Sequence, residues 1–297
     1  MTRMTRRDFA LLAAAALAAP PARAQSSAGP VITRAIPRSG ERLPAVGLGT
    51  DEYLSDNERT RQGASQVVQT LLDGGGRLID TASDYGASES ILGDVIATAK
   101  ARDRVFLATK LEAPDMDELQ RSLKRLKMAK LDLLQLHNLS DPRQSLAAFK
   151  GWQAQGICRY IGVTSTSHGD FAAVEAVLGR EKPDFVQIDY SINDREAEKR
   201  ILPLAAEVKA AVLTALPYGR GRVFRAVRGT PVPDWAQGFA PNWPQFFLKW
   251  LLADERVTAV IPGTTNPAHM ADNLGAMRGA LPDPDQRKRM VTFIESL

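Results

Sequence analysis

Four side chains of complementary acid–base type stand at the ends of three short apolar runs. Asp80 lies in RLIDTA (77–82) and Tyr85 just after it; Lys110 closes RVFLATK (104–110); His137 closes LDLLQLH (131–137). A carboxylate, a phenol, an ammonium and an imidazole are groups that move protons. A phenol ionises near pH 10, so unaided it is a poor proton partner at neutral pH, and an ammonium beside it favours the phenolate. Each residue alone has a plain reading: Asp80 as a helix N-cap, Lys110 as a surface lysine, His137 as a satisfied strand-end histidine. Their shared placement on successive strand ends is what points to chemistry.

Such residues need a frame that brings strand ends together. β-rich runs recur at 44–50, 77–82, 104–110, 131–137, 159–165, 185–190, 210–216 and 257–263, beginning about 27 residues apart from the second onward except for a longer last interval. They are near-continuous apolar runs, as in a parallel sheet buried on both faces. Between them lie segments with helical apolar spacing, such as ASQVVQTLLDG, MDELQRSLKRLKM and QSLAAFKGWQAQG. A doubly wound open sheet is possible, but eight evenly spaced βα units favour a closed (β/α)8 TIM barrel, whose active site forms at the C-terminal ends of its strands. A short β-hairpin with its turn at Pro37–Gly40 precedes the barrel. The Gly-, Pro- and Arg-rich stretch 217–245 reads as a loop over the barrel mouth.

The chain has 297 residues and a formal charge of +4. Its start, MTRMTRRDFALLAAAALAAPPARAQ, reads as an export signal: Arg3, Arg6 and Arg7, an apolar core from Phe9 to Ala19, and a small-x-small cleavage site ending at Ala24. Arg6-Arg7 with Phe9 and Leu11 behind them is the pattern of the twin-arginine (Tat) route, which carries folded proteins; an ordinary secretory signal is the other reading. The expected organisation is a signal peptide over 1–24, a linker over 25–30 and the barrel over 31–297, with a periplasmic location. Four arginines and one aspartate lie in the signal, so the remainder is near +1. That balance gives no case for nucleic acid or for a stable membrane association once the signal is removed. The export machinery would be a transient partner. Cys158 is the sole cysteine, so no intrachain disulfide exists, and its apolar surroundings suit an inert buried thiol. Three histidines and one cysteine, spread through the chain, give no evident metal cluster.

IDTASDYGASESILG (79–93) resembles the signature of the aldo-keto reductases, and RVFLATK, DLLQLHN, GICRYIGVTS, FVQIDYS and IPGTTNPAHMADN resemble that family's later blocks in the same order, covering residues 31–297. The resemblance implies an NAD(P)-dependent oxidoreductase that moves a hydride between nicotinamide C4 and the carbonyl of an aldehyde or ketone. In those terms Tyr85 is the proton donor, Lys110 lowers its pKa, Asp80 holds Lys110 charged, and His137 orients the carbonyl oxygen. No metal is required.

The resemblance also implies cofactor positions. Gln187 would hold the carboxamide, with Thr164-Ser165 in place of the usual Ser-Asn. Ala215 stands where a tyrosine normally stacks on the ring, and Tyr218 is a candidate substitute. Pro217, Gly219, Arg220 and Gly221 would face the pyrophosphate, and Thr50 joins them from the first strand. Gly263, Thr264, Thr265 and His269 would face the ribose 2′-phosphate, Asp272 and Asn273 the adenine. Glycine for lysine at 263 and histidine for arginine at 269 remove two fixed charges, so NADP is expected on family habit and NAD stays open. Tyr53, Tyr218 and Trp243 are candidates for the substrate mouth. An exported, cofactor-loaded redox or binding module is the alternative, and a barrel lyase or isomerase a third class.

Overall fold

A computed structural model describes residues 29–139 and 141–297. The expected signal peptide, its cleavage site after Ala24 and most of the linker lie outside them. Strands β1 (Thr33–Ala35) and β2 (Arg42–Pro44) pair antiparallel, forming the expected hairpin. Eight parallel strands follow: β3 (Leu48–Gly49), β4 (Leu78–Asp80), β5 (Phe106–Leu111), β6 (Leu131–Leu136), β7 (Cys158–Ser165), β8 (Phe185–Asp189), β9 (Ala211–Ala215) and β10 (Val257–Val260). Each pairs with the next in sequence order. Val46 bridges Val260 and Gly49 bridges Gly263, both parallel, so the first and last strands meet and the sheet closes into a barrel. The backbone N–H of Gly47 donates to Val260 at 2.9 Å, and that of Val260 to Ala45 at 2.9 Å.

Around the barrel run α1 (Glu58–Asp73), α2 (Ser88–Thr98), α3 (Met116–Leu126), α4 (Pro142–Ala154), α5 (Phe171–Glu181), α6 (Ile201–Glu207), α7 (Arg222–Ala226), α8 (Asp234–Gln237), α9 (Trp243–Leu252), α10 (Pro267–Gly275) and α11 (Pro284–Glu295). Their starts follow local chemistry. Asn57, Asp115, Asn242 and Asp283 each accept a hydrogen bond from a first-turn amide, and Asp283 and Gln286 complete a capping box. No helix among the described residues is long and apolar enough to cross a membrane.

Two expectations need correction. The stretch 217–245 is not one loop: only its start lines the barrel mouth, and the rest folds into α7, α8 and the first turn of α9, where the Asn242 cap and Pro244 in the first turn fix a helix start. The run 44–50 is not one strand but divides between β2 and β3, because its first part pairs with the hairpin and its end with the barrel.

Side chains alternate along a strand, so every second residue points into the barrel. Deep in the interior these are apolar: Leu78, Phe106, Leu133, Tyr160, Phe185, Ala211 and Ala259 pack together with Ile36 and Leu43 of the hairpin, which plugs the N-terminal end. Tyr160 Oη donates to Glu41 and accepts from Ser39, both at 2.8 Å, tying plug to barrel. Two or four residues further along β4 to β8, the same inward column turns polar: Asp80, Lys110, Gln135, Thr164, Gln187 and Asp189, all buried. The alternating residues, such as Leu107, Leu134, Val163 and Val186, pack against the helices. Period two thus builds an apolar floor beneath a polar upper layer.

Candidate active site

The polar layer centres on Asp80. Lys110 Nζ donates to Asp80 Oδ2 at 2.6 Å and to the Thr81 carbonyl at 2.7 Å, with both side chains almost fully buried. Gln135 Nε2 donates to the other oxygen of Asp80 at 3.2 Å and to Gln187 Oε1 at 2.8 Å; Gln187 Nε2 donates to Asp80 Oδ2 at 3.2 Å. The Asp80 carboxylate therefore has three donors, which is how a buried charge is tolerated. Lys110 Nζ also lies 4.9 Å from the Tyr85 ring centre, and the Tyr85 ring meets His137 edge-on at 5.8 Å. The four residues read from strand ends are thus together in space.

The stretch that carries Tyr85 is held by its own neighbours. Thr81 Oγ1 donates to Ser88 Oγ at 2.9 Å, Ser88 Oγ to Thr50 Oγ1 at 2.8 Å, and Thr50 Oγ1 to the Asp80 carbonyl at 2.9 Å. Glu89, buried, accepts from Thr109 Oγ1 at 2.6 Å and from Arg125 Nε at 2.7 Å. Gly86 has φ +53°, and a Cβ there would fall 2.6 Å from the Leu54 carbonyl oxygen. At Gly93 a Cβ would fall 2.2 Å from the Arg125 carbonyl oxygen, so α2 rests directly on α3. The residues of 79–93 other than Asp80 and Tyr85 thus serve mainly to place those two.

Lys110 acts on Tyr85 in the expected direction, but burial outweighs it. Burial pushes the Tyr85 phenol up, and although Lys110 pulls it down, the net shift is upward. Tyr85 is held as the neutral phenol, the form that donates a proton, rather than poised as phenolate. Burial alone would pull Lys110 down, but the charge and hydrogen bond of Asp80, with Tyr85 beside it, leave it above the ordinary lysine range. Burial and Lys110 depress His137, against Asp84, Glu112 and Asp80. His137 Nδ1 lies 2.7 Å from Glu112 Oε1 and 3.3 Å from Asp84 Oδ1, a charge contact without hydrogen-bond alignment.

These groups open onto a cleft of about 470 Å3 lined by Asp80, Tyr85, His137, Thr50, Thr164, Gln187, Ala215 and, from the loops, Pro217, Tyr218, Arg220, Gly221 and Gly263. A larger, more open depression of about 750 Å3 near Asn193, Arg195 and Glu295 contains none of the Tyr85 group. Other sequence candidates fall elsewhere. Ser165 points away from the barrel and its Oγ donates to Asp170 at 2.8 Å, because it follows Thr164 by one residue on the strand. Tyr53 is fully buried with its hydroxyl on the Thr264 carbonyl at 3.2 Å, so it is core rather than mouth. Trp243 stacks on Phe247 and Phe293 and donates to the Thr230 carbonyl at 2.8 Å, packing at α9 away from the cleft. Asp272 accepts from Asn242 at 2.6 Å and Gln245 at 2.9 Å, and Asn273 from Tyr218 Oη at 2.5 Å; both brace α10 to its neighbours. Thr265 and His269 are exposed and Thr264 is buried beside them. Gly219 sits under the loop with φ +52° against the Asn193 amide. Cys158 is buried, with its thiol pushed up to about 12 by burial and Asp184.

Sequence reasoning passed over Gln135, Glu112, Asp84 and Asp189. Gln135 was findable, since it shares the inward column with Leu133 on the same strand. Glu112 and Asp84 sit in loops, and only the fold brings them to His137.

Known proteins carry the same frame. A profile of the Aldo/keto reductase family matches residues 45–234. The chain belongs to that family. An aldo-keto reductase of Mycolicibacterium vanbaalenii is 31% identical over 245 residues, covering 78% of this chain and 82% of that protein. A 6-dehydroglucose reductase of Novosphingobium aromaticivorans is 27% identical over 286 residues, covering 84% and 91%. Among solved structures, an aldo/keto reductase of Klebsiella pneumoniae in complex with NADP and acetate superposes with a TM-score of 0.73 at 23% identity, covering 86% of this chain and 93% of that one. At that identity the likeness speaks for the fold.

Proposed function

We propose that this aldo-keto reductase reduces the carbonyl of a small aldehyde or ketone with NADPH, Tyr85 delivering the proton, and runs the reverse oxidation when supplied with alcohol. The observation that carries the reading is Lys110, buried beside two residues that line the cleft, Asp80 and Tyr85. The cleft suits a dinucleotide. Among its lining residues Thr164 and Gln187 offer a hydroxyl and an amide, Gly221 and Gly263 add no side chains, and Arg220 supplies one cation. Ala215 leaves the nicotinamide position without a stacking ring at the strand end, and Tyr218 lines the cleft three residues on. When bound, the nicotinamide supplies a hydride to the carbonyl carbon.

The chain's own residues do the rest. His137 hydrogen-bonds the carbonyl oxygen and sets its direction. Tyr85 gives its proton to that oxygen as negative charge develops there. The ammonium of Lys110 offsets the phenolate left behind, and Asp80, with three donors on its carboxylate, keeps Lys110 in place. Replacing Tyr85 by Phe removes only the hydroxyl. Reduction of an aromatic aldehyde, followed by loss of absorbance near 340 nm, is expected to fall by at least about two orders of magnitude, with NADPH binding retained. Turnover near that of the unaltered protein would remove Tyr85 from this role. Export by the twin-arginine route remains our reading of Arg6-Arg7. Changing both to lysine should leave active protein in the cytoplasm on cell fractionation, and unimpaired delivery to the periplasm would refute it.

A further inference from the structure

We propose that Glu112 and Asp84 are positioning residues for His137: facing its Nδ1, they fix a proton there, so that the nitrogen left for the cleft, Nε2, can donate a hydrogen bond only when the ring carries both protons. The consequence for catalysis rests on the carbonyl-reductase reading above; the proton placement itself does not.

A neutral imidazole has one N–H and one lone pair. Nδ1 is buried, with Glu112 Oε1 at 2.7 Å and Asp84 Oδ1 at 3.3 Å. The two carboxylates lie off the Nδ1 axis, but at these distances their negative field repels a lone pair there, so the proton of the neutral ring belongs on Nδ1. Nε2 then carries the lone pair. A carbonyl oxygen also offers only lone pairs, so neutral His137 cannot orient it. An alcohol, by contrast, can donate its O–H to Nε2. Reduction therefore calls for the doubly protonated ring and oxidation for the neutral one. His137 lends a hydrogen bond in either direction and gives up no proton, since Tyr85 supplies it.

The charges around the ring compete. Asp80 from β4, Asp84 and Tyr85 from the loop after it, Lys110 from β5 and Glu112 just beyond all face His137. Burial and the Lys110 ammonium oppose protonation, while the three carboxylates favour it. Asp80 is already committed to Lys110. Glu112 takes one further bond, from Asn138 Nδ2 at 3.1 Å. Among the described residues, neither Glu112 nor Asp84 is paired with a lysine or arginine. Their charge is thus available to the imidazole. Both are about half exposed, so neutral amides in their place leave the core untouched.

The test is the titration of the His137 ring by NMR in the full chain, with chelator present, its signals assigned by their loss in His137→Asn. Nitrogen shifts of the neutral ring should report a proton on Nδ1. In the double variant Glu112→Gln with Asp84→Asn the midpoint should fall by about one pH unit, the low end expected for opposite charges at this range when partly screened by water. Glu112→Gln alone should account for most of it. The acid-favoured limb of kcat/KM for reduction of benzaldehyde should move by the same amount. A neutral ring protonated on Nε2, or a midpoint that stays within about 0.2 units in the double variant against a one-unit expectation, overturns the proposal. A midpoint that falls in a protein that reduces no carbonyl compound upholds the positioning role and removes the reductase reading instead.

Discussion

Replacing Lys110 by Met keeps most of the side-chain volume and removes the charge, leaving Asp80 buried without its cation. Breaking a buried pair by removing one partner costs about 3–5 kcal/mol. Here the upper part of that range is out of reach. Asp80 keeps the amide donors of Gln135 and Gln187, each at 3.2 Å, and a stranded carboxylate can bind a proton. Protonating an ordinary carboxylate at pH 7 costs about 4 kcal/mol, which caps the penalty. The expected loss is therefore about 3–4 kcal/mol at pH 7, or roughly 10 °C in Tm for a chain of this size. The cap falls by about 1.4 kcal/mol for each pH unit, so at pH 5 the loss should be about 1–2 kcal/mol. The sign follows from linkage: the folded variant holds a proton that the unfolded chain releases, so its stability declines as pH rises. Urea denaturation of both proteins at pH 5 and pH 7 measures this directly. A difference below about 1 kcal/mol at pH 7, or one that does not shrink at pH 5, would mean that Asp80 is not a desolvated charge held by Lys110.

Three further outcomes follow from other parts of the fold. Gly93→Ala gains about 1 kcal/mol of helix propensity but forces α2 off the Arg125 carbonyl oxygen at a cost of about 1–3 kcal/mol or more, so a lower Tm is expected and a higher one would refute the close approach. Burial and Asp194 raise the Asp189 carboxyl to about 6; its neutral form therefore adds stability that is full below the unfolded carboxylate range and is lost as pH rises through about 6. Asp189→Asn should accordingly be more stable than the parent at pH 8 by about 3 kcal/mol, read as a rise in Tm that disappears near pH 4. His269→Arg should raise the preference for NADPH over NADH by about tenfold in kcat/KM, since an added charged hydrogen bond to a phosphate is worth about 1.5 kcal/mol; an unchanged ratio would place the 2′-phosphate elsewhere.

The barrel and its central group were readable from sequence for the same reason. Buried parallel strands are near-continuous apolar runs, so an Asp80 or Lys110 at the end of one stands out against its neighbours. The strand bounds agree closely wherever a strand is paired on both sides along its length, as at β5, β6 and β8. Where pairing changes partner, between β2 and β3, composition carries no mark of the change. Aromatic residues misled most. Tyr53 and Trp243 look alike to Tyr218 in sequence, yet only Tyr218 reaches the cleft, because a ring can fill core as well as line a mouth. Glu112 and Asp84 were invisible for the converse reason: a loop carboxylate has no periodicity, and its partner is set by where the loops converge.

The seam between the start and the end of the barrel governs how the chain can be completed. Val46 and Gly49 find their partners in Val260 and Gly263. Until those last residues have left the ribosome, the sheet has two raw borders, one along β3 and one along β9, each a row of unpaired amides and carbonyls open to any passing strand. The barrel is therefore a ring that only its clasp can make safe. A chain broken off before β10 would be sticky along both margins rather than merely incomplete, and a holdase bound during synthesis would protect the molecule most by shielding β3, the border that waits longest.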